Sequence, residues 1–559
     1  MTPTSPTRAP PFLPVARAPL AILLTLTALA GCAVDPIAPG GVVLTRLVGL
    51  PIVPINVPDT AKTDTTTAPT DTMPSASGVH LPRSMPLVPD DLDDRACTVR
   101  VGTGELQGAL NAARGGDVLC LAGTYQGTFT VPPRVDPGWV VIRSASTIPP
   151  GRMRPSTAPG LARIVSANRT TPLTFAARAT RTMLLGVEVT TDSTMVEGPV
   201  ALVQIGTAQE RLASDLPTDI VLQQVYLHGW PRQHVRRAVA GNGGAQTLRD
   251  SWCEEIHASG FDSQCWISWN ASGPILIENN TLEAASENVM FGGADPRVPG
   301  LVPSDVTIRR NHIAKPLAWK GANWNVKNLI ETKSSARVLV EQNVIEGSWT
   351  DGQTGYAFVL KSTSQNLGCP ACGTSDWTIR RNLVRQTGAG FSIAGRADQN
   401  GVTVTDSSNR RFAILENWIG PLNVAPFEGD ARPMIFLSEN DDVVVRGNTF
   451  EEGARIREAV LFDISGGRLK AVGNLVFDRN VFPRGQYGVG ASGVGEGLVA
   501  WQAGALGASQ WTGNAFVGRA TVTYPPGTTW HATLADALGS AGIARARIDA
   551  GVSAVVIAR

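Results

Sequence analysis

The side chains best suited to chemistry lie in four short stretches, DSQCWIS, ENVMFGG, NLIETKS and YAFVLKS, which start at residues 262, 287, 328 and 356. Glu331 and Lys333 are two apart, so on a strand they share one face. Lys361 takes the place of Lys333 in the next stretch, and Asp262 and Glu287 match each other in the two before. Asp351 and Gln353 fall just ahead of Lys361, and His257 just ahead of Asp262. Only 17% of the chain is charged, so this is its densest polar cluster. Such a set can supply a base, an acid and charge that stabilises a developing anion. It can equally be a solvated, charge-balanced face that ties neighbouring strands together. Two lysines at matching positions repel, which favours an acid or an anionic ligand between them.

Trp230, Trp252, Trp266, Trp269, Trp319, Trp324 and Trp349 crowd the same region. Indole rings in a groove stack well on sugar faces. Trp319, Trp324 and Trp349, with Gln353, are the expected substrate contacts, and the polar WKGANW stretch makes Trp319 and Trp324 the ones expected to be exposed.

These stretches sit inside a repeat. VTIRRNHI, VLVEQNVI, WTIRRNLV, FAILENWI and VVVRGNTF share a central asparagine. The column reads Asn280, Asn311, Asn343, Asn382, Asn417, Asn448, Asn474 and Asn514, at spacings of 26 to 40 residues. Apolar residues stand three before and two after each. The alternation of apolar and charged residues has the period of strands, not helices. Each unit holds brief strands and no room for a crossover helix, so its strands can pair only with their copies in neighbouring units. That predicts an all-β fold, a single-stranded right-handed parallel β-helix. Asparagine tolerates a left-handed bend, and stacked amides both donate and accept. Asn280, Asn311, Asn343, Asn382, Asn417 and Asn448 are therefore expected to form a structural ladder. Val187 and Val225 occupy the equivalent place earlier, so the ladder is expected to start at Asn280. The stretch 104–131 predicts an N-terminal helical cap with Leu106, Leu110 and Ala113 on one side, and residues 533–548 predict a helical plug at the far mouth.

The stretch LQGALNAARGGDVLCLAGTY and the repeated I-x-x-N-x-I resemble the pectate-lyase-like right-handed β-helix superfamily, over roughly residues 97–520. Residues 276–313 and 324–358 resemble bacterial secreted β-helix proteins of unassigned activity. The resemblance implies a carbohydrate-related role, with β-elimination on uronate-containing polysaccharide as the expected reaction. It implies a lysine or arginine base and acidic side chains holding Ca²⁺. On this reading Lys333, Lys361, Glu331 and His257 are catalytic, and Asp262, Glu287 and Asp351 supply oxygens to calcium. The closely placed aspartates of β-helix polygalacturonases do not occur here in their arrangement, so glycoside hydrolysis is the weaker enzymatic reading. The alternative class is a non-catalytic glycan-binding, adhesion or envelope scaffold protein.

The ends of the chain set the expected context. Arg8 and Arg17 precede the apolar run APLAILLTLTALA, and Leu29–Cys32 resembles the bacterial lipoprotein box. That resemblance implies a signal peptide over 1–31, acylation of Cys32 and outer-membrane anchoring through lipid alone. Residues 32–90 are rich in Pro and Thr and read as a disordered tether. The β-helix is expected over 91–520 and a C-terminal cap or tail over 521–559. The remaining cysteines fall into local pairs, Cys97 with Cys120, Cys253 with Cys265 and Cys369 with Cys372, the simplest of fifteen connectivities. With 48 basic and 47 acidic residues the chain gives no electrostatic case for nucleic acid. The expected partner is a polysaccharide or cell-surface glycan, and the expected state a monomer.

Overall fold

The computed structural model describes residues 78–556, apart from 366, 397, 400–401, 404–408 and 465–471. The expected signal segment, Cys32 and most of the expected tether lie outside the described residues. Strands with the sequence spacing of the repeat stack in parallel into three long sheets, designated A, B and C, that form a right-handed parallel β-helix. In the repeat coils the chain passes from a strand of sheet A through the asparagine bend into sheet B, then into sheet C. Ile275–Glu278, Thr281–Ala284 and Val289–Phe291 are one such set. Each then pairs with its counterpart one coil on, as in Ile277↔Ile308, Leu282↔Ile313 and Met290↔Glu331.

The inward residues build one continuous core. Ile277, Ile308, Val340 and Ile379, three before the asparagine, are fully buried, as are Leu282, Ile313, Ile345 and Val384, two after it. At the bend the asparagine amides connect coil to coil. Asn280 donates its backbone N–H and its Nδ2 to Asn311 Oδ1, both at 2.9 Å. The same paired bonds run from Asn311 to Asn343, Asn382, Asn417 and Asn448. Beyond that the column departs from expectation. Asn480, not Asn474, carries it on to Asn514, and Asn474 is exposed. Nor does the ladder begin abruptly, because the Ser251 N–H donates to Asn280 Oδ1 and the Ser251 hydroxyl accepts from the Val225 N–H. The left-handed residue is the one before the asparagine: Asn279, Arg310, Gln342, Arg381 and Glu416 have φ between 51° and 55°. The asparagine is thus selected for its amide, not for the backbone conformation.

Three disulfides form with the expected pairing, 97–120, 253–265 and 369–372. The helix Leu106–Ala112 forms, with Leu106 and Leu110 in the main core. Its Gln107 amide accepts from the Thr130 N–H and donates to the Thr130 carbonyl, at 2.8 and 2.9 Å, along the first strand of sheet C. Two expectations about the ends are corrected. The tether does not extend to residue 90: Val79 packs on Ala413 and Val444, the Arg83 N–H binds Asp305, and Leu92 packs on Val141, Met183 and Val221. Residues 79–92 are therefore a strap laid across the outer face of sheet A. At the other end, residues 533–548 do not plug the mouth: the helix Leu534–Leu538 packs on Val481, Ala515 and Val517, and Ile543 and Ile548 pack on Val344, Leu383 and Trp418, all along the flank of sheet B.

The ladder gives a sharp stability test. Asn480→Ala should lower stability by about 1–3 kcal/mol, because it leaves buried donors and acceptors unpaired. Asn474→Gly, which keeps the left-handed φ of 52° at that exposed position, should cost less than about 0.5 kcal/mol, the usual range for a surface change. Urea melts of the two variants check this, and equal losses would refute the assignment.

Candidate functional site

The outer face of sheet C gathers most of the expected charged residues. The pairing of Ile330–Thr332 with the strand Tyr356–Ser362 sets Thr332 opposite Leu360, so Lys333 and Lys361 follow at matching positions. Glu331 stands between them, its Oε1 3.1 Å from Lys361 Nζ and 3.9 Å from Lys333 Nζ. One coil earlier Glu287 does not meet Asp262 directly. Its Oε2 accepts from Gln264 Nε2 at 2.8 Å, and Lys327 bridges the two acids, 2.6 Å from Asp262 and 3.5 Å from Glu287. Lys327 thus joins the cluster beside the expected residues.

Burial is unequal, and that decides what the face presents. The carboxylates of Glu287 and Glu331 are 1% exposed, whereas Lys327, Lys333 and Lys361 are 18%, 16% and 22% exposed. The acids form the floor and the amines reach outward. A groove of about 300 Å³ opens beside them, lined by Arg236, Arg237, Phe261, Asp262, Gln264 and Lys333, among others. Arg236 lies 4.7 Å over the Phe261 ring, which is 55% exposed at the rim.

The electrostatics follow from this layering. Burial and the neighbouring carboxylates of Glu331 and Asp262 push Glu287 up to about 7, although Lys327 and Gln264 oppose the shift. Burial lowers Lys333; Glu331 resists the shift and Lys361 adds to it. Burial, with Arg236 alongside, pulls Arg237 down to about 10. Lys315, beneath the same region, is lowered strongly by burial and donates to the carbonyls of Ala284 and Ser286 and to Asn288 Oδ1. Three acceptors surround the amine, so its protons are satisfied internally.

Other expected site residues go elsewhere. His257 is fully buried; its Nε2 lies 2.7 Å from Glu255 and its ring stacks on Trp324 at 3.9 Å. No bond joins it to the lysine cluster, so it is not placed to act there. Trp319 and Trp349 are also buried, in a satellite core with Ala285, Val326 and Phe427. The loop over 316–327 needs apolar anchors of its own to be ordered, and these indoles supply them instead of facing a sugar. They hold Asn325 and Lys327 in place, and Asn325 Nδ2 donates to Asp262 at 2.9 Å. Trp324 is half-buried against His257 and His234. Asp351 accepts from the Val326 N–H at 3.2 Å, and the Gln353 carbonyl accepts from the Asp351 N–H at 2.9 Å. Neither is joined to the carboxylate cluster.

The expected calcium donors do not fit that ion as a set. The Lys327 ammonium already bridges Asp262 and Glu287, and Asp351 is engaged with another loop. Among the described residues no group of three or more acidic, histidine or cysteine side chains is placed to hold a metal.

Lys327, Arg236, Arg237, Gln264, Phe261 and Asn325 went unnoticed in sequence because none lies at a repeated offset. One signal was available: Lys327 opens the run KNLIETK that also holds Glu331 and Lys333.

No family model and no curated protein sequence matches the chain. Solved structures do resemble it at low identity. A mannuronic acid specific polysaccharide family 6 lyase from human gut microbiota aligns at 12% identity, over 82% of this chain and 99% of that one, with a TM-score of 0.46. The catalytic domain of a GH87 alpha-1,3-glucanase aligns at 13% identity, over 80% and 67%, with a TM-score of 0.40. The Dettilon tailspike protein aligns at 12% identity and a TM-score of 0.37, over 79% of this chain but only 63% of its own length.

The Glu287 shift makes a pH prediction. A carboxyl raised on folding binds more protons in the folded state between its unfolded value near 4.5 and about 7. Its contribution to stability therefore falls as pH rises through that window and is constant above it. Glu287→Gln should remove this component from the pH profile of the melting temperature between pH 4.5 and 7. An unchanged profile would contradict the shift.

Proposed function

We propose that the groove on sheet C binds a uronate-containing polysaccharide and cleaves it by β-elimination. The observation that carries this reading is the layering: outward amines of Lys327, Lys333 and Lys361 over buried carboxylates, beside Arg236 and Arg237. A cationic outer layer of this kind favours sugar carboxylates and repels cationic ligands.

Lys333 is the proposed base. Its lowered pKa raises the fraction of free amine near neutral pH. The amine takes the C5 proton, the C4–O4 bond breaks as the C4=C5 bond forms, and the departing O4 recovers a proton from the lysine. Charge grows on the uronate carboxylate during the first step, and Lys361 and Arg237 are the cations assigned to stabilise it. Glu331 is a positioning residue that holds both lysines. One observation favours a second reading, glycan binding without turnover: Lys361 is already paired with Glu331 at 3.1 Å.

Ultraviolet absorbance of the unsaturated product on a panel of uronate polysaccharides separates the two. On a responsive polymer, Lys333→Ala should lower the rate roughly 10²–10⁴-fold, the usual contribution of a general base. Its melting temperature should stay near that of the wild type. The wild-type rate should rise with pH to a plateau that begins below the ordinary lysine range, because the base must be unprotonated. No absorbance on any polymer, with binding retained, would leave the non-catalytic reading.

We propose in addition that the groove is displayed at the outer membrane through acylated Cys32, on the strength of the Leu29–Cys32 sequence. Metabolic labelling with a fatty-acid analogue should mark the full chain and fail on Cys32→Ala, and labelling of that variant would overturn the anchor.

A further inference from the structure

We infer that the groove continues into a second anion subsite at a neighbouring cleft, so that the ligand is a polyanionic chain long enough to span both. This deepens the proposed function and rests on it. The second cleft has a volume of about 610 Å³ and is lined by Arg211, Trp269, Ala294, Asp295, Arg297 and Gly368, among others. That volume lies within the roughly 300–1,000 Å³ typical of small-ligand sites.

Three contacts set the two spaces side by side. The Arg237 guanidinium, in the wall of the first groove, sits 5.1 Å from the centre of the Trp269 ring in the wall of the second. Gly293 lines the first and Ala294, the next residue, lines the second. Lys333 donates to Gln365 Oε1 at 2.9 Å, and the loop that carries Gln365 brings Gly368 to the second cleft.

The charge of the second cleft is one-sided. Its single lining carboxylate, Asp295, is consumed by the same loop. It accepts from the Ser364 hydroxyl at 2.9 Å and from the N–H groups of Gln365 and Gly368, both at 2.7 Å. Arg211 and Arg297 are exposed and make no ion pair among the described residues. Two free guanidinium groups beside a half-buried indole suit a sugar ring that bears a carboxylate or sulfate: the forks take the anion and the indole takes the ring face. Two cationic clefts joined at Arg237 match a polymer that repeats its charge along the chain, and give no such advantage to a monosaccharide.

The test uses full-length protein carrying Lys333→Ala, so that no ligand is consumed, with and without Arg211→Ala and Arg297→Ala. Calorimetry would measure uronate oligosaccharides of two and six units, prepared from alginate and from polygalacturonate. The six-unit ligand should bind at least about tenfold more tightly than the two-unit one, and the added substitutions should erase that preference while leaving the melting temperature unchanged. If the preference is missing, or survives the loss of both arginines, the second subsite is refuted and the first groove stands. If neither ligand binds in the Lys333→Ala chain or in the wild-type chain, the proposed function falls with it.

Discussion

Everything in this molecule depends on one spacing, the roughly 4.8 Å between hydrogen-bonded strands. Once the coils stack in parallel at that distance, equal offsets in successive repeats lie directly above one another. The asparagine bend holds the register where the chain turns. From Asn311 onward each ladder amide oxygen accepts two bonds from the coil before, and its nitrogen donates back to the carbonyl of an earlier strand, as Asn343 does to Ile308. A buried amide without such a neighbour would cost more than the bond is worth. The ladder is therefore both a support and a constraint, because any coil that misplaces its asparagine leaves two others unsatisfied.

The same stacking creates the candidate site. One row of outward positions on sheet C carries charge in consecutive coils, and no helix among the described residues covers it. Carboxylates set back at the sheet surface lose solvation, and only the adjacent amines make that burial tolerable. Removing either layer would leave the other unpaired. Long insertions enter at the corner between sheets B and C. There Trp319, Trp349 and Phe427 form a small core that holds the loop carrying Asn325 and Lys327. The aromatic residues thus act at one remove, by keeping polar groups where the cluster needs them.

The strap over sheet A obeys a similar logic. Asp305 and Asp376 are held down to about 2, because bonds from Arg337 and Arg411 and from the strap outweigh the cost of burial. Arg83 meets the first and His80 the second. A Pro-rich segment is ordered here by polar bonds to a pre-built sheet, together with apolar contacts at its two ends.

The sequence by itself determined the coil. A period-2 alternation around a recurring asparagine admits few folds other than parallel stacking, and the core positions before and after each asparagine could be read directly. The match of Lys333 to Lys361 and the local pairing of six cysteines were legible for the same reason: they depend on offsets within the repeat or on short separations. The tertiary structure alone decided what lies between repeats. Gln264 meets Glu287 because the register, not the visible alignment, sets the pair, and Lys327 reaches Asp262 and Glu287 from a loop of irregular length. His257, Trp319 and Trp349 turn inward because an inserted loop must bury apolar surface of its own, and composition cannot show which residues it will use. The shift from Asn474 to Asn480 was decided by the stacking. Both positions satisfy a local pattern, but only one stands above Asn448 when the coils are stacked.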